Sequence, residues 1–396
     1  MFKVFKTNNG LLALMFFEVF LLPMWNFGPI PFKFSLLIIL YSLLRKLPKF
    51  YFIAPIFGLI FLLWLGKFYS YLFLDEYQFQ QTIRATVNYS LIIAAFLYSQ
   101  KVKNIDNFNW IAILALAFGF INIFIFIIGP NFPPIISFYS LGDRLDDGLF
   151  FYRNPGINTN PNGSALIGNL ILLFWVVSKK NDLITLKSPF WNLIVFVSIG
   201  LAMISFVSKS GFIAYFILCL YYVINNFSIR NLFYSSFAII IAMFFVLNFT
   251  KKLNPQELIV FEQGIDKILN MDDAIASELN KNNSFDGSRI FKIKAALDDF
   301  IFSPLFGNGS DRFTGSKLSE TAYHNDWSEI LVSTGILGIL AFIIVVYRVS
   351  KLNYILILPF FIPGMTNAFM FTMQIVAFYF LFVGLIYKSK TKLNFQ

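Results

Sequence analysis

The chain carries apolar runs too long and too many for a soluble core. They fall at 11–26, 34–44, 50–66, 85–99, 108–128, 163–178, 190–207, 211–224, 232–249, 328–346, 352–364 and 366–387. A bilayer offers no water to satisfy backbone N–H and C=O groups, so runs like these cross it as helices. A straight crossing takes about 20 residues, and several runs are shorter, so tilted, extended or broken helices are expected. The expected fold is all-α, a polytopic transmembrane bundle of twelve spans, or eleven. The count turns on 352–387, which Pro359, Pro363 and Gly364 interrupt. Composition agrees: 58% of the 396 residues are hydrophobic and mean hydropathy is +0.70, well above an ordinary soluble domain.

Charge sets the expected direction. With the N-terminus inside, the inner segments hold Lys3, Lys6, Arg45, Lys46, Lys49, Lys101, Lys103, Lys179, Lys180, Lys187, Arg230, Arg348, Lys351, Lys388, Lys390 and Lys392, against only Asp106 and Asp182. Short inner loops are enriched in Lys and Arg, so both termini are expected in the cytoplasm. The net charge of +10 is mostly this topological signal and does not point to nucleic acid. Lys388–Lys392 reads as a solvated basic tail. The start, MFKVFKTNNG, resembles a signal peptide but lacks a small-residue cleavage site, and Pro23 and Trp25 stand where one would be; it is expected to stay as an uncleaved first span. Cys219 is the only cysteine and lies within a span, which leaves no material for a disulfide or a zinc site. Inside the spans Glu18 is the only clear ionisable group. Ion-coupled transporters bury several, so attention moves to the outer face.

Three regions follow: 1–249 with nine spans and an outer loop at 129–161, a large outer loop at 250–327, and 328–396 with the last three spans and the tail. Loops of this length are commonly functional. In the larger one, Ile290, Ile293, Leu297, Phe300 and Ile301 recur at helical spacing until Pro304, and FGNG (306–309) reads as a turn. This segment is expected on the outer membrane face.

The only histidine, His324, stands where that loop re-enters a span. Asp326 and Glu329 have capping-pair spacing, so a helix is expected to begin at Asn325 or Asp326. The helix dipole would then favour neutral imidazole at His324 while Asp326 pushes the other way. A neutral imidazole can take a proton from an attacking sugar hydroxyl; the alternative is a histidine that only bonds to the helix end. Arg289 follows Asp286 and Ser288, either of which can cap the next helix, so a guanidinium and free N–H groups converge as a phosphate would need. The alternative is an arginine snorkelling to lipid headgroups. Lys209, in SKSG (208–211), is a third candidate for phosphate, or else a plain loop lysine. Arg144 and Arg153 in the first outer loop are weaker candidates. Tyr323 and Trp327 flank His324 and could stack on sugar. Asp143, Asp146 and Asp147 lack convincing ligand spacing, so neither a metal nor a cofactor is expected.

With these residues in view, the chain resembles the O-antigen polymerase/O-antigen ligase superfamily of bacterial polytopic membrane proteins. The resemblance rests on NPNGSALIG (160–168), on GSRIFKIKAALDDFIFSPLFGNG (287–309), on AYHNDWSEILVSTGILG (322–338) and on the large outer loop before the tenth span. It implies inverting, metal-independent glycosyl transfer from an undecaprenyl-diphosphate-linked saccharide on the periplasmic face of the inner membrane. Arg289 would grip the diphosphate and His324 would activate the acceptor. The family commonly has Ser-Arg where this chain has Ser208-Lys209, which exchanges a bidentate fork for a point charge, and Tyr323 replaces the Ala before His. The expected activity is polymerisation of lipid-linked O-antigen or capsule repeat units, with a chain-length regulator as a further candidate partner. The alternatives are a ligase that transfers polysaccharide to lipid A-core, a lipid-linked oligosaccharide flippase or exporter, and a non-catalytic assembly partner.

Overall fold

The computed structural model of the chain describes residues 10–23, 25–27, 30–43, 51–73, 79–102, 107–142, 154–158, 160–186, 188–206, 208–225, 289–309, 325–362 and 369–393. In chain order the helices are α1 (Gly10–Leu21), α2 (Phe34–Leu43), α3 (Ala54–Phe73), α4 (Gln80–Lys101), α5 (Trp110–Ile128), α6 (Pro133–Tyr139), α7 (Pro161–Lys180), α8 (Pro189–Phe206), α9 (Lys209–Asn225), α10 (Arg289–Phe302), α11 (Asp326–Leu352), α12 (Leu358–Phe361) and α13 (Met373–Leu393). One hairpin pairs β1 (Trp25–Phe27) antiparallel to β2 (Ile30–Phe32), with Trp25 opposite Phe32. Its strands are too short to leave an alternating pattern in the sequence.

Among the described residues five helical segments are long and apolar enough to cross a membrane: Tyr51–Phe73, Trp110–Asn131, Pro161–Lys180, Pro189–Phe206 and Asp326–Leu352. At 1.5 Å per residue, 18 to 27 residues reach roughly 27–40 Å, enough for a hydrocarbon core of about 30 Å. The protein is a multi-pass membrane protein of helical architecture. The expected span at 232–249 lies outside the described residues. The described part of 352–364 holds a 3-10 turn, Tyr354–Ile357, and the four-residue α12, neither long enough to cross.

The chain divides into two compact units. The first comprises Met1–Lys33 and Asn104–Ile275, the second Phe34–Lys103 and Ala276–Gln396. In the first, α7 is buried without interruption from Ser164 to Ser178, as expected of an apolar helix enclosed by neighbours. It packs on α5, α8 and α9. Phe16, Phe20, Trp110 and Phe174 form an aromatic cluster with centroids 4.9 to 5.9 Å apart. In the second unit α13 packs along α4 and α11 along α3.

In each unit several basic side chains bond to oxygens near helix ends. In the first, Lys180 donates to Asn225 Oδ1 at the end of α9 (2.9 Å), Lys179 donates to the Leu186 carbonyl, and Asn109 before α5 donates to Thr185 (2.7 Å). In the second, Arg348 donates to the Tyr51 and Phe52 carbonyls just before α3, Lys388 to the Gln100 and Val102 carbonyls, and Lys390 to the Leu352 carbonyl. Lys388 and Lys390 therefore sit within α13 and cap the ends of α4 and α11. This corrects the expected solvated tail. The last carbonyls of a helix lack intrahelical donors, and an ammonium both fills them and suits the negative end of the dipole.

Charge within the spans is also richer than expected. The run ending at 66 continues as helix to Phe73, which places Lys67 inside α3, fully buried, with Nζ 4.9 Å from the centre of the Phe79 ring. The aromatic face offsets part of the cost of desolvating the ammonium. Asp326, the first residue of another spanning segment, is fully buried as well.

Candidate active site

The second unit contains a helix broken on purpose. Within α11, Gly335 has φ 65° and ψ −167°, a backbone region that essentially only glycine occupies. Helical pairing stops there, and backbone groups inside a membrane cannot be left open. The segment after α10 closes them. Asn308 N donates to the Val332 carbonyl (2.7 Å) and Gly309 N to the Ser333 carbonyl (3.1 Å), while Ile336 N donates to Pro304 (2.9 Å) and Leu337 N to Leu305 (3.4 Å). The approach is so close that a Cβ on Gly307 would lie 2.4 Å from the Ser333 carbonyl carbon, and one on Gly335 2.4 Å from the Leu305 carbonyl. On the other side, a Cβ on Gly66 of α3 would meet the Phe306 and Gly307 carbonyl oxygens at 2.7 and 2.8 Å, and Ser70 Oγ donates to the Asn308 carbonyl (2.7 Å). Pro-Leu-Phe-Gly-Asn-Gly is thus a backbone patch across a helix break. It holds the C-terminal end of α10 against α11, and α10 begins at Arg289.

The start of α11 is built by Asn325. Its backbone is extended (φ −149°, ψ 123°) and its Oδ1 accepts from Trp327 N (2.9 Å) and Ser328 N (3.4 Å), while Glu329 N closes the first turn on the Asn325 carbonyl (3.0 Å). The helix starts where expected. The cap, however, is Asn325 and not Asp326, whose carboxylate turns inward, where Oδ1 accepts from Met370 N (2.7 Å). Its other oxygen, Oδ2, is buried with no hydrogen-bond partner. Trp327 is half-buried; its indole N–H donates to the Phe360 carbonyl (3.1 Å) and its ring lies 5.0 Å from Phe342 and 5.6 Å from Phe361.

In the first unit Lys209 is the first residue of α9. Ser208, 1% exposed, caps that helix: Phe212 N bonds to its carbonyl (2.9 Å) and Gly211 N to its Oγ (3.3 Å). Ser208 Oγ in turn donates to Asn162 Oδ1 (2.9 Å), and Asn160 caps α7 by accepting from Asn162 N and Gly163 N. The Asn-Pro-Asn motif therefore starts one helix and steadies the start of another. His324, Tyr323, Arg153, Arg144 and the aspartates of the 129–161 loop lie outside the described residues.

These features belong to a multi-pass membrane protein in which Lys209 and Arg289 are the first residues of α9 and α10. Residues 193–343 match the family model described as O-antigen ligase. The match runs through Lys209, Arg289, His324 and Trp327, and over that stretch the chain is similar to the O-antigen ligase family. No curated protein matches the chain. Reading the sequence missed two things: the burial of Asp326, whose partner is 44 residues away, and Lys67, which ended an apolar run without ending a helix.

Proposed function

We propose that this protein is an inner-membrane glycosyltransferase that joins undecaprenyl-diphosphate-linked repeat units on the periplasmic face, with both termini in the cytoplasm. The observation that carries this reading is the 193–343 match, which takes in Lys209, Arg289 and His324 together, with Arg289 opening α10 and His324 immediately before the cap of α11. The Lys and Arg excess of the expected inner segments supports the orientation.

In the reaction an acceptor hydroxyl oxygen attacks the donor's anomeric carbon from the face opposite the diphosphate. The carbon–oxygen bond to phosphate breaks, its electron pair leaves with undecaprenyl diphosphate, and the configuration inverts. His324 takes the hydroxyl proton, and Arg289 and Lys209 stabilise the charge gathering on the leaving phosphate. Arg153, Tyr323 and Trp327 belong to the saccharide-binding surface. A lipid anchor holds the reacting carbon at a fixed depth, which supplies part of the positioning. The residues named need neither metal nor cofactor for these roles.

A second reading, transfer of finished polysaccharide to lipid A-core, is favoured by the description of the matching family. Purified protein in bilayers separates the two. Lipid-linked repeat units alone should yield a ladder of products; product only when lipid A-core is added would select the ligase, and no transfer to either acceptor would overturn both.

A further inference from the structure

The last half of α10 is turned the wrong way for a helix in water. Asp299, Ser303 and, in the turn beyond, Asn308 are buried, and Asn308 Nδ2 donates to the Asp299 carbonyl (2.8 Å). Leu297, Ile301, Phe302 and Leu305 are exposed instead, Ile301 at 71%. Apolar side chains presented together to water cost free energy, which a solvated helix avoids by the opposite arrangement. Against hydrocarbon the observed arrangement is the favourable one, because there the polar groups must be satisfied inside the protein. Asp298 is exposed as well, at the end of the stripe nearer Arg289.

Two spanning segments of the same unit give the depth of this stripe. Arg348 of α11 donates to the Tyr51 and Phe52 carbonyls, which open the segment containing α3, and a cation at the end of a span marks a membrane boundary. From that level it is about 16 Å along α11 to Leu337, whose N–H donates to the Leu305 carbonyl. Along the other segment it is about 22 Å to Gly66, which abuts the Phe306 and Gly307 carbonyls. A hydrocarbon core is about 30 Å thick, and tilt of the helices only lowers these heights. Leu305–Gly307 therefore lies within the core, about 8–14 Å short of the far boundary. Nearer that boundary, Tyr69 Oη donates to the Phe302 carbonyl (3.4 Å). Ile336, Leu337 and Leu340 of α11 are exposed and apolar too, so the stripe continues the exposed apolar side of a spanning helix. We propose that α10 enters the bilayer by its C-terminal end, and that Leu297, Ile301, Phe302 and Leu305 dock against the acyl chains of the leaflet opposite the Arg348 boundary. The proposal needs only that α3 and α11 cross the membrane, so it stands or falls separately from glycosyl transfer.

The test is the depth of nitroxide labels on single cysteines at Leu297, Ile301 and Leu305, in full-length, Cys219-free protein reconstituted in phospholipid bilayers. Power saturation compares collisions with oxygen, which partitions into hydrocarbon, and with a water-soluble nickel chelate. At Ile301 and Leu305 oxygen collisions should exceed chelate collisions several-fold, as at the exposed Leu340 of α11, and the ratio should rise from Leu297 to Leu305. Chelate collisions as frequent as oxygen collisions at Ile301 and Leu305 would place the stripe in water and overturn the proposal. Few collisions with either reagent, as beneath a second copy of the chain or a tightly held polyprenyl chain, would overturn it too. Should the labelled variants fail to fold, the unmodified protein gives the same reading. A phospholipid carrying a diazirine on its acyl chain should, on illumination, label peptides covering 297–305. Labelling around Leu340 without labelling of 297–305 would overturn the proposal.

Discussion

Replacing Gly335 by alanine tests the patched helix break directly. At φ 65° and ψ −167° any side chain is strained, by about 1–3 kcal/mol. The added Cβ would also sit 2.4 Å from the carbonyl carbon and oxygen of Leu305 and 2.6 Å from Phe306 N, all backbone atoms that cannot step aside alone. The segment must back away, and the four hydrogen bonds across the break cannot all survive. Losing two of them at roughly 0.5–1.5 kcal/mol each adds about 1–3 kcal/mol. The expected destabilisation is about 2–6 kcal/mol, a large share of a typical folding stability of about 5–15 kcal/mol. Thermal unfolding of the detergent-purified protein should show a midpoint lowered by on the order of 10 °C, taking roughly 2–4 °C per kcal/mol. Gly58→Ala is the control: nothing lies within 4 Å of its added Cβ, and α3 should gain up to about 1 kcal/mol of helix propensity. A Gly335→Ala protein that unfolds at the wild-type temperature would refute the helix-break argument.

Other expectations follow from the remaining groups. Arg289→Ala should abolish product while expression and insertion stay normal, and Arg289→Lys should be impaired for want of a fork, whereas Lys209→Arg should be tolerated; wild-type turnover in Arg289→Ala removes it from the donor site. In a Cys219-free background, cysteines at Asn283 and Ser316 should react with an impermeant thiol reagent in intact cells and one at Lys390 should not, and the reverse pattern inverts the orientation. Lys390→Ala removes the donor to the Leu352 carbonyl and should lower the unfolding midpoint, while Lys390→Arg keeps it; equal midpoints for all three would mean that the cap contributes nothing.

The five spanning segments among the described residues were legible because apolar runs report a bilayer without reference to partners. The run at 163–178 became α7 with two residues added at each end. The run ending at Gly66 continues as helix to Phe73, with Lys67 desolvated against Phe79. The start of α11 was readable from local capping chemistry, which depends on neighbours only. What Asp326 does was not, since its acceptor role is set by Met370, far away in sequence. The FGNG turn was legible from its glycines, but its docking partners, Gly66 and Gly335, stand on two other helices and leave no mark in that segment. Lys388 and Lys390 read as a tail because the carbonyls they cap belong to α4 and α11.

The central claim is that His324 deprotonates the acceptor. The direct measurement is turnover of purified wild-type and His324→Ala protein on undecaprenyl-diphosphate-linked repeat units, with product length read on a gel across pH. The account predicts a fall in rate of roughly 10²–10⁴-fold, loss of the acidic limb and largely retained donor binding. Polymerisation by His324→Ala at near-normal rate with an unchanged pH profile would contradict it.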